Sequence, residues 1–194
     1  MDFVLISDVD AILPYIPSLK ESKIMVVDTE TTGLDPHIHR IRLIQLAVSG
    51  LPVIIIDCFT FLPHGIELLK ELLEAANVKV FQNAKFDLQF FMAMGIYPSP
   101  IFDTMLAGQM LHTSGGPNRV SLATLAQHYL SEEISKDEQK SNWQGTLNDS
   151  QLIYAARDAN VLLQLREAMV NTTTNNTTPK RVSWSETKTP YGSS

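Results

Sequence analysis

Between Ile24 and Asp57 three strongly apolar runs, IMVV, IRLIQLAV and VIIID, follow one another with no helical period between them. Short runs rich in Ile and Val, bounded by Gly, Pro, Ser and Asp, read as strands. The second and third are joined by Ser49, Gly50, Leu51 and Pro52, a tight turn, so the sheet is expected to begin antiparallel. The first run ends unusually, leading straight into Asp28, Thr29 and Glu30 and then Thr-Thr-Gly-Leu-Asp-Pro. Residues two apart on a strand share a face, so Asp28 and Glu30 stand side by side where a buried strand ends. A buried carboxylate is costly unless something pairs with it. Two readings are open on this stretch alone: a strand that stops in a solvated turn, or a site for hard cations.

The rest of the chain alternates in period. Phe3 to Ile6 is a short apolar run, followed by Ser7 as the expected cap of a helix that Pro14 disturbs. After Pro63, Ile66, Leu69, Leu73 and Ala76 recur at helical spacing. Val78 to Phe81 reads as a buried strand parallel to the first. Asn83 is expected to cap a helix that Gly95 ends, and Asp103 to cap another. His112 to Asn118 reads as a loop, and Leu122, Leu125, Ala126 and Tyr129 mark a helix. The last helix is expected from about Asn148 to Val170. The 194 residues, 44% hydrophobic, suffice for one core. The expectation is a single α/β domain over residues 1–170, with a mixed sheet flanked by helices. A polar tail over 171–194, low in apolar residues, is expected to be disordered.

Charge and special segments narrow the function classes. A net charge of −6 argues against a passive nucleic-acid binder, which carries a basic surplus. It leaves room for an enzyme that holds a phosphate backbone through metal ions. The single cysteine, Cys58, precludes an intramolecular disulfide. No signal peptide or membrane-length apolar run is visible, so a cytoplasmic protein without a membrane partner is expected.

Two further acids bear on the opening stretch. Asp87 lies early in the helix after Asn83, where an acid also suits the helix dipole. In the last helix, Tyr154 and Asp158 are four apart and share a face, off the stripe of Leu152, Ala156, Ala159 and Leu163. Asp158 precedes an apolar run, an odd place for a free charge, although a pairing with Arg157 would also account for it.

Taken together, VVDTETTGLD, VFQNAKFDLQFF and YAARDANVLLQL resemble, in order and spacing, the three motifs of the DEDD superfamily of 3′-5′ exonucleases. The chain is similar to the exonuclease domain of family A DNA polymerases and to ribonuclease D over roughly residues 1–170. FDTMLAGQML and SLATLAQHYL agree with this. One branch of that superfamily has a His five residues before the last Asp, where Ile153 stands; the other has a Tyr four before it, matched by Tyr154. The resemblance implies a ribonuclease H-like fold of the tyrosine branch. It implies two divalent cations, Mg²⁺ or Mn²⁺, with Asp28 bridging both, Glu30 and Asp158 on the ion that binds the attacking water, and Asp87 on the second. Carboxylates suit such hard ions. Tyr154 would orient the water. Thr29, Thr31, Leu34 as a wedge, Phe86 and Lys140 are implied or candidate substrate contacts, as is Asn83 if it does not serve only as a cap. Trp143 matches a family position near the third motif, with a packing role equally open. The expected substrates are 3′ ends of single-stranded or frayed DNA or RNA, DNA slightly favoured. RNA trimming and a non-catalytic binding domain are the alternatives, and partnership with a polymerase stays open.

Overall fold

The computed structural model describes residues 2–111, 120–134 and 141–176. Its centre is a six-stranded sheet: β1 (Phe3–Ile6), β2 (Ile24–Thr31), β3 (Ile41–Ala47), β4 (Val53–Asp57), β5 (Val78–Phe81) and β6 (Ile101–Asp103). The spatial order is β1-β4-β3-β2-β5-β6. β2 and β4 each run antiparallel to β3, whereas β1 is parallel to β4, and β5 and β6 are parallel to β2. The expected antiparallel start is therefore the middle of the sheet. β6 follows Pro98 and Pro100 and is too short to show an alternation in sequence.

Helices cover both faces. α1 (Val9–Ile12), a 3-10 turn (Leu13–Tyr15) and α2 (Ile16–Glu21) lie with α3 (Cys58–Leu73) and α4 (Ala84–Ala93). They bury Met25, Val27, Ile44, Leu46, Ile54 and Ile56 of the sheet. The other face, with Val26, Leu43, Ala47, Val53, Ile55 and Val80, packs under α7 (Asp149–Asn176). α5 (Thr104–Leu111) and α6 (Leu122–Leu130) flank α7. Ala155, Ala156 and Ala159 are all fully buried, and such small side chains let α7 approach the strands closely.

Several local expectations are corrected. Asp8, not Ser7, caps α1, accepting from Ala11 N at 2.9 Å. α3 begins at Cys58, capped by Asp57 Oδ1 on Phe59 N at 3.1 Å, and carries Pro63 inside its first turns. Pro63 thus lies inside the helix, where it forgoes one i→i−4 hydrogen bond that the packed α3 tolerates, and it does not mark the start. α7 continues past Val170 to Asn176, since no Gly or Pro interrupts the chain there. Of the proposed tail, residues 177–194 lie outside the described residues.

Lys79 is a fully buried cation on β5. Its Nζ donates to the carbonyls of Asn77 (2.8 Å), Ser99 (2.9 Å) and Ala75, tying the turns on either side of β5 together. Burial pulls its ammonium down to about 8.

Candidate active site

The parallel pairing of β2 with β5 places the C-terminal end of β2 beside the start of α4, and α7 lies across the same strands. Three segments distant in sequence thus meet around one cleft of about 800 Å³. Asp28, Glu30, Tyr154 and Asp158 line it, with Thr29, Thr31, Leu34, Asn83 and Phe86. Asp87 is set deeper, only 3% exposed, and is tied to the cleft wall by the Thr29 hydroxyl, which donates to its Oδ1 over 2.6 Å. Asp158 is 9% exposed, and its Oδ1 has no hydrogen-bond partner among the described residues.

The acids feel one another. Burial, followed by the charges of Asp87 and Asp158, holds the Asp28 carboxyl well above its ordinary range. Burial and then Asp28, Asp158 and Asp87 push Glu30 up to about 10. Asp87 is raised by burial to about 7, opposed by the Thr29 hydrogen bond. Asp158 is raised by burial to about 6, opposed by a hydrogen bond from Tyr154 and by Arg157. Burial and the neighbouring carboxylates raise the Tyr154 phenol, so its hydroxyl stays a donor. Like charges do not converge of themselves. Among the described residues, no three Asp, Glu, His or Cys side chains are gathered closely enough to hold a metal ion as they stand. What the arrangement offers is an open, all-oxygen, electronegative cleft whose acids gain by meeting a hard cation.

A second carboxylate organises the wall. Asp103, expected to cap the helix after it, accepts from Met105 N (2.8 Å) and Leu106 N (3.3 Å) of α5. It also accepts from Asn83 N (3.1 Å) and Ala84 N (2.9 Å) at the start of α4. One side chain therefore caps both helices. The cap expected from Asn83 is replaced: its backbone is left-handed (φ 63°, ψ 55°) and its side chain makes no capping bond, leaving it on the cleft wall. Beside it Gln82, which the sequence reading passed over, donates to Val120 O at 2.8 Å and accepts from the Thr104 hydroxyl at 2.6 Å. Its signal was a polar residue directly after a buried strand.

α7 is held in place at its entry. Asn148 and Gln151 form a reciprocal cap, Oδ1 on Gln151 N at 2.9 Å and Oε1 on Asn148 N at 3.1 Å. Arg42 reaches from β3 to Gly145 O (3.0 Å) and pairs with Asp57 (2.9 Å). Trp143 is 4% exposed, part of the core under α7 and of the cleft wall at once.

The remaining candidates separate. Leu34 is 78% exposed at the cleft edge. Phe86 packs on Phe90 at 5.4 Å between ring centres. Arg157 donates to Glu133 O at 2.6 Å, so it is engaged with the segment after α6. Lys140 lies outside the described residues. His37 and His39 line a different cleft of about 890 Å³, with Phe59 and Met94, which contains none of the acids.

Fold and cleft together define a ribonuclease H-like nuclease architecture. The solved structure of Escherichia coli RNase D, described as an exoribonuclease involved in structured RNA processing, matches it with a TM-score of 0.79. That likeness of fold covers 92% of this chain and 47% of the other, at 24% identity. The chain belongs to the 3′-5′ exonuclease family, whose model matches residues 3–174. It is 36% identical over 166 residues to DNA polymerase I of Aquifex aeolicus (strain VF5), covering 85% of this chain and 27% of the polymerase. It is 29% identical over 170 residues to ribonuclease D of Jannaschia sp. (strain CCS1), covering 84% and 42%. The chain thus spans about a quarter of the polymerase and less than half of the ribonuclease. No helix among the described residues is long and apolar enough to cross a membrane.

Proposed function

We propose that the chain is an active 3′-5′ exonuclease of the tyrosine branch, releasing nucleoside 5′-monophosphates from single-stranded or frayed 3′ ends. The observation that carries this is the convergence of Asp28, Glu30, Asp158 and Tyr154 on one cleft, with Asp87 buried behind its wall and bonded to Thr29. Asp28, Glu30, Asp87 and Asp158 would hold two divalent cations, Mg²⁺ or Mn²⁺. The donor set suits them: every group is a carboxylate oxygen, burial raises all four carboxyls, repulsion from neighbouring acids adds to this at Asp28 and Glu30, and Asp158 Oδ1 is buried and unpartnered. When bound, such ions supply charge neutralisation for the attacking and leaving oxygens of a phosphodiester.

The chain's own groups then have separable tasks. Tyr154, kept protonated and hydrogen-bonded to Asp158, presents its hydroxyl to the attacking water. Thr29 holds Asp87 at the far wall. Leu34, exposed at the rim, wedges beside the terminal base, and Phe86 and Asn83 flank the terminal sugar from α4. A duplex end must open before its last nucleotide enters, so single strands are favoured. DNA is the first choice of polymer, supported by the 36% identity to a DNA polymerase I. RNA trimming is the second reading, supported by the ribonuclease D relatives.

The test is digestion of 5′-labelled DNA and RNA single strands in parallel with Mg²⁺, Mn²⁺ or EDTA, beside Asp28→Ala. Metal-dependent shortening from the 3′ end, lost in the variant, is expected. Equal digestion by Asp28→Ala would remove the metal assignment. No digestion of either polymer by folded protein would leave a binding module.

A further inference from the structure

Gln45 is the polar interruption in IRLIQLAV, and it does not line the acidic cleft. It is 0% exposed, and neither its amide nitrogen nor its amide oxygen has a hydrogen-bond partner among the described residues. Such a group costs free energy in a core, and an apolar residue of the same length would be cheaper there.

Its position supplies a use. In the β2–β3 ladder Gln45 stands directly opposite Asp28. Directly opposed residues project from the same face with Cβ atoms about 4.5–5.5 Å apart. That face is the one under α7: Val26, Leu43 and Ala47, the neighbours of this pair in the ladder, pack with Ala155, Ala156 and Ala159. Asp158 belongs to the same stretch of α7, and its Oδ1 is likewise buried without a partner. An unused amide with two N–H donors therefore lies on the face shared by two carboxylates, one of which has an unused acceptor.

We infer that Gln45 is a positioning residue of the acidic centre, its amide N–H groups orienting the ionised carboxylates of Asp28 and Asp158 toward the cations. This rests on the reading of those acids as cation ligands. The residue type fits. Outer partners that donate to ligating carboxylates set their orientation and strengthen metal binding. A neutral amide donates without bringing a positive charge that competes with the ions, as Lys would. It also adds no repulsion, as Glu would.

The experiment compares wild type, Gln45→Met and Gln45→Leu by thermal melting, in EDTA and through a MgCl₂ titration, with 3′ digestion measured over the same titration. Wild type is measured first: if Mg²⁺ does not raise its melting temperature, the cation reading itself falls and this inference with it. Given that shift, both variants should melt in EDTA at or above wild type, because an unsatisfied polar group has been removed. Both should need about 10-fold more Mg²⁺ or higher for the half-maximal shift and for half-maximal rate, with most of kcat returning at saturating Mg²⁺. An unchanged Mg²⁺ requirement would overturn the inference. So would failure of both variants to fold, or a lower melting temperature in EDTA with the wild-type Mg²⁺ requirement, since either result assigns Gln45 to packing alone.

Discussion

The Thr29 hydroxyl donates to Asp87 Oδ1 across 2.6 Å, joining β2 to α4 between the two acids of the first motif. Thr29 alternates with Asp28 and Glu30, so it points away from them and reaches the helix instead. Both partners are buried. The bond stabilises the charged form of Asp87 against its burial.

Thr29→Val keeps the shape and removes the donor. A hydrogen bond to a charged group contributes about 1.5–3 kcal/mol, so the Asp87 pKa should rise and Mg²⁺ affinity should fall about 10-fold or more. The check is activity against pH: the rising limb should move to higher pH in Thr29→Val and return in Thr29→Ser.

The four acids make stability depend on pH in a direction opposite to an ion-paired protein. A carboxyl whose pKa is higher folded than unfolded binds more protons when folded, so stability declines as pH rises through that window. With ordinary values near about 4 and folded values of about 6 for Asp158, 7 for Asp87 and 10 for Glu30, the metal-free protein should lose melting temperature steadily above pH 4. Saturating Mg²⁺ should reverse the loss, and Asp28→Asn should flatten it while abolishing turnover. Melting curves from pH 4 to 9 in EDTA and in MgCl₂ decide this; a rise in stability over that range without metal would count against the burial of these carboxyls.

Tyr154→Phe removes a hydroxyl that stays protonated and bonds Asp158. At saturating Mg²⁺, turnover should still be down about 10²-fold, the lower range for a group that positions a proton, whereas weaker Mg²⁺ binding through the loss of the Asp158 hydrogen bond would be recovered there. Single-turnover digestion separates this from a binding defect: KM should stay close to wild type.

Asp103→Ala takes the cap from α4 and α5 at once. Loss of a cap costs about 1 kcal/mol per helix, so urea unfolding should show roughly twice the penalty of an ordinary cap deletion. Activity should fall further than stability, because α4 carries Asp87 and Phe86.

Much of the candidate site is legible in the sequence because its acids and Tyr154 sit at local spacings. Two acids at i and i+2 on a strand, and a Tyr and an Asp at i and i+4 on a helix, share faces by geometry that short segments impose on themselves. The apolar periods of β2, β3, β4 and α7 are local in the same sense, and their existence followed from the chain alone. The expectation failed where a residue's partner comes from another element. Asn83 looked like a cap, but the carboxylate of Asp103, brought alongside by the parallel β5–β6 pairing, took that role. Gln45 carries no local signal of its own, and only the ladder sets it opposite Asp28. The sequence by itself determined which elements form and which faces carry acids, because both depend on backbone periodicity. The tertiary structure decided which acids share the cleft, which hydroxyl holds Asp87 and which buried amide stands opposite Asp28, because strand order and helix placement are set by burying both faces of one sheet together.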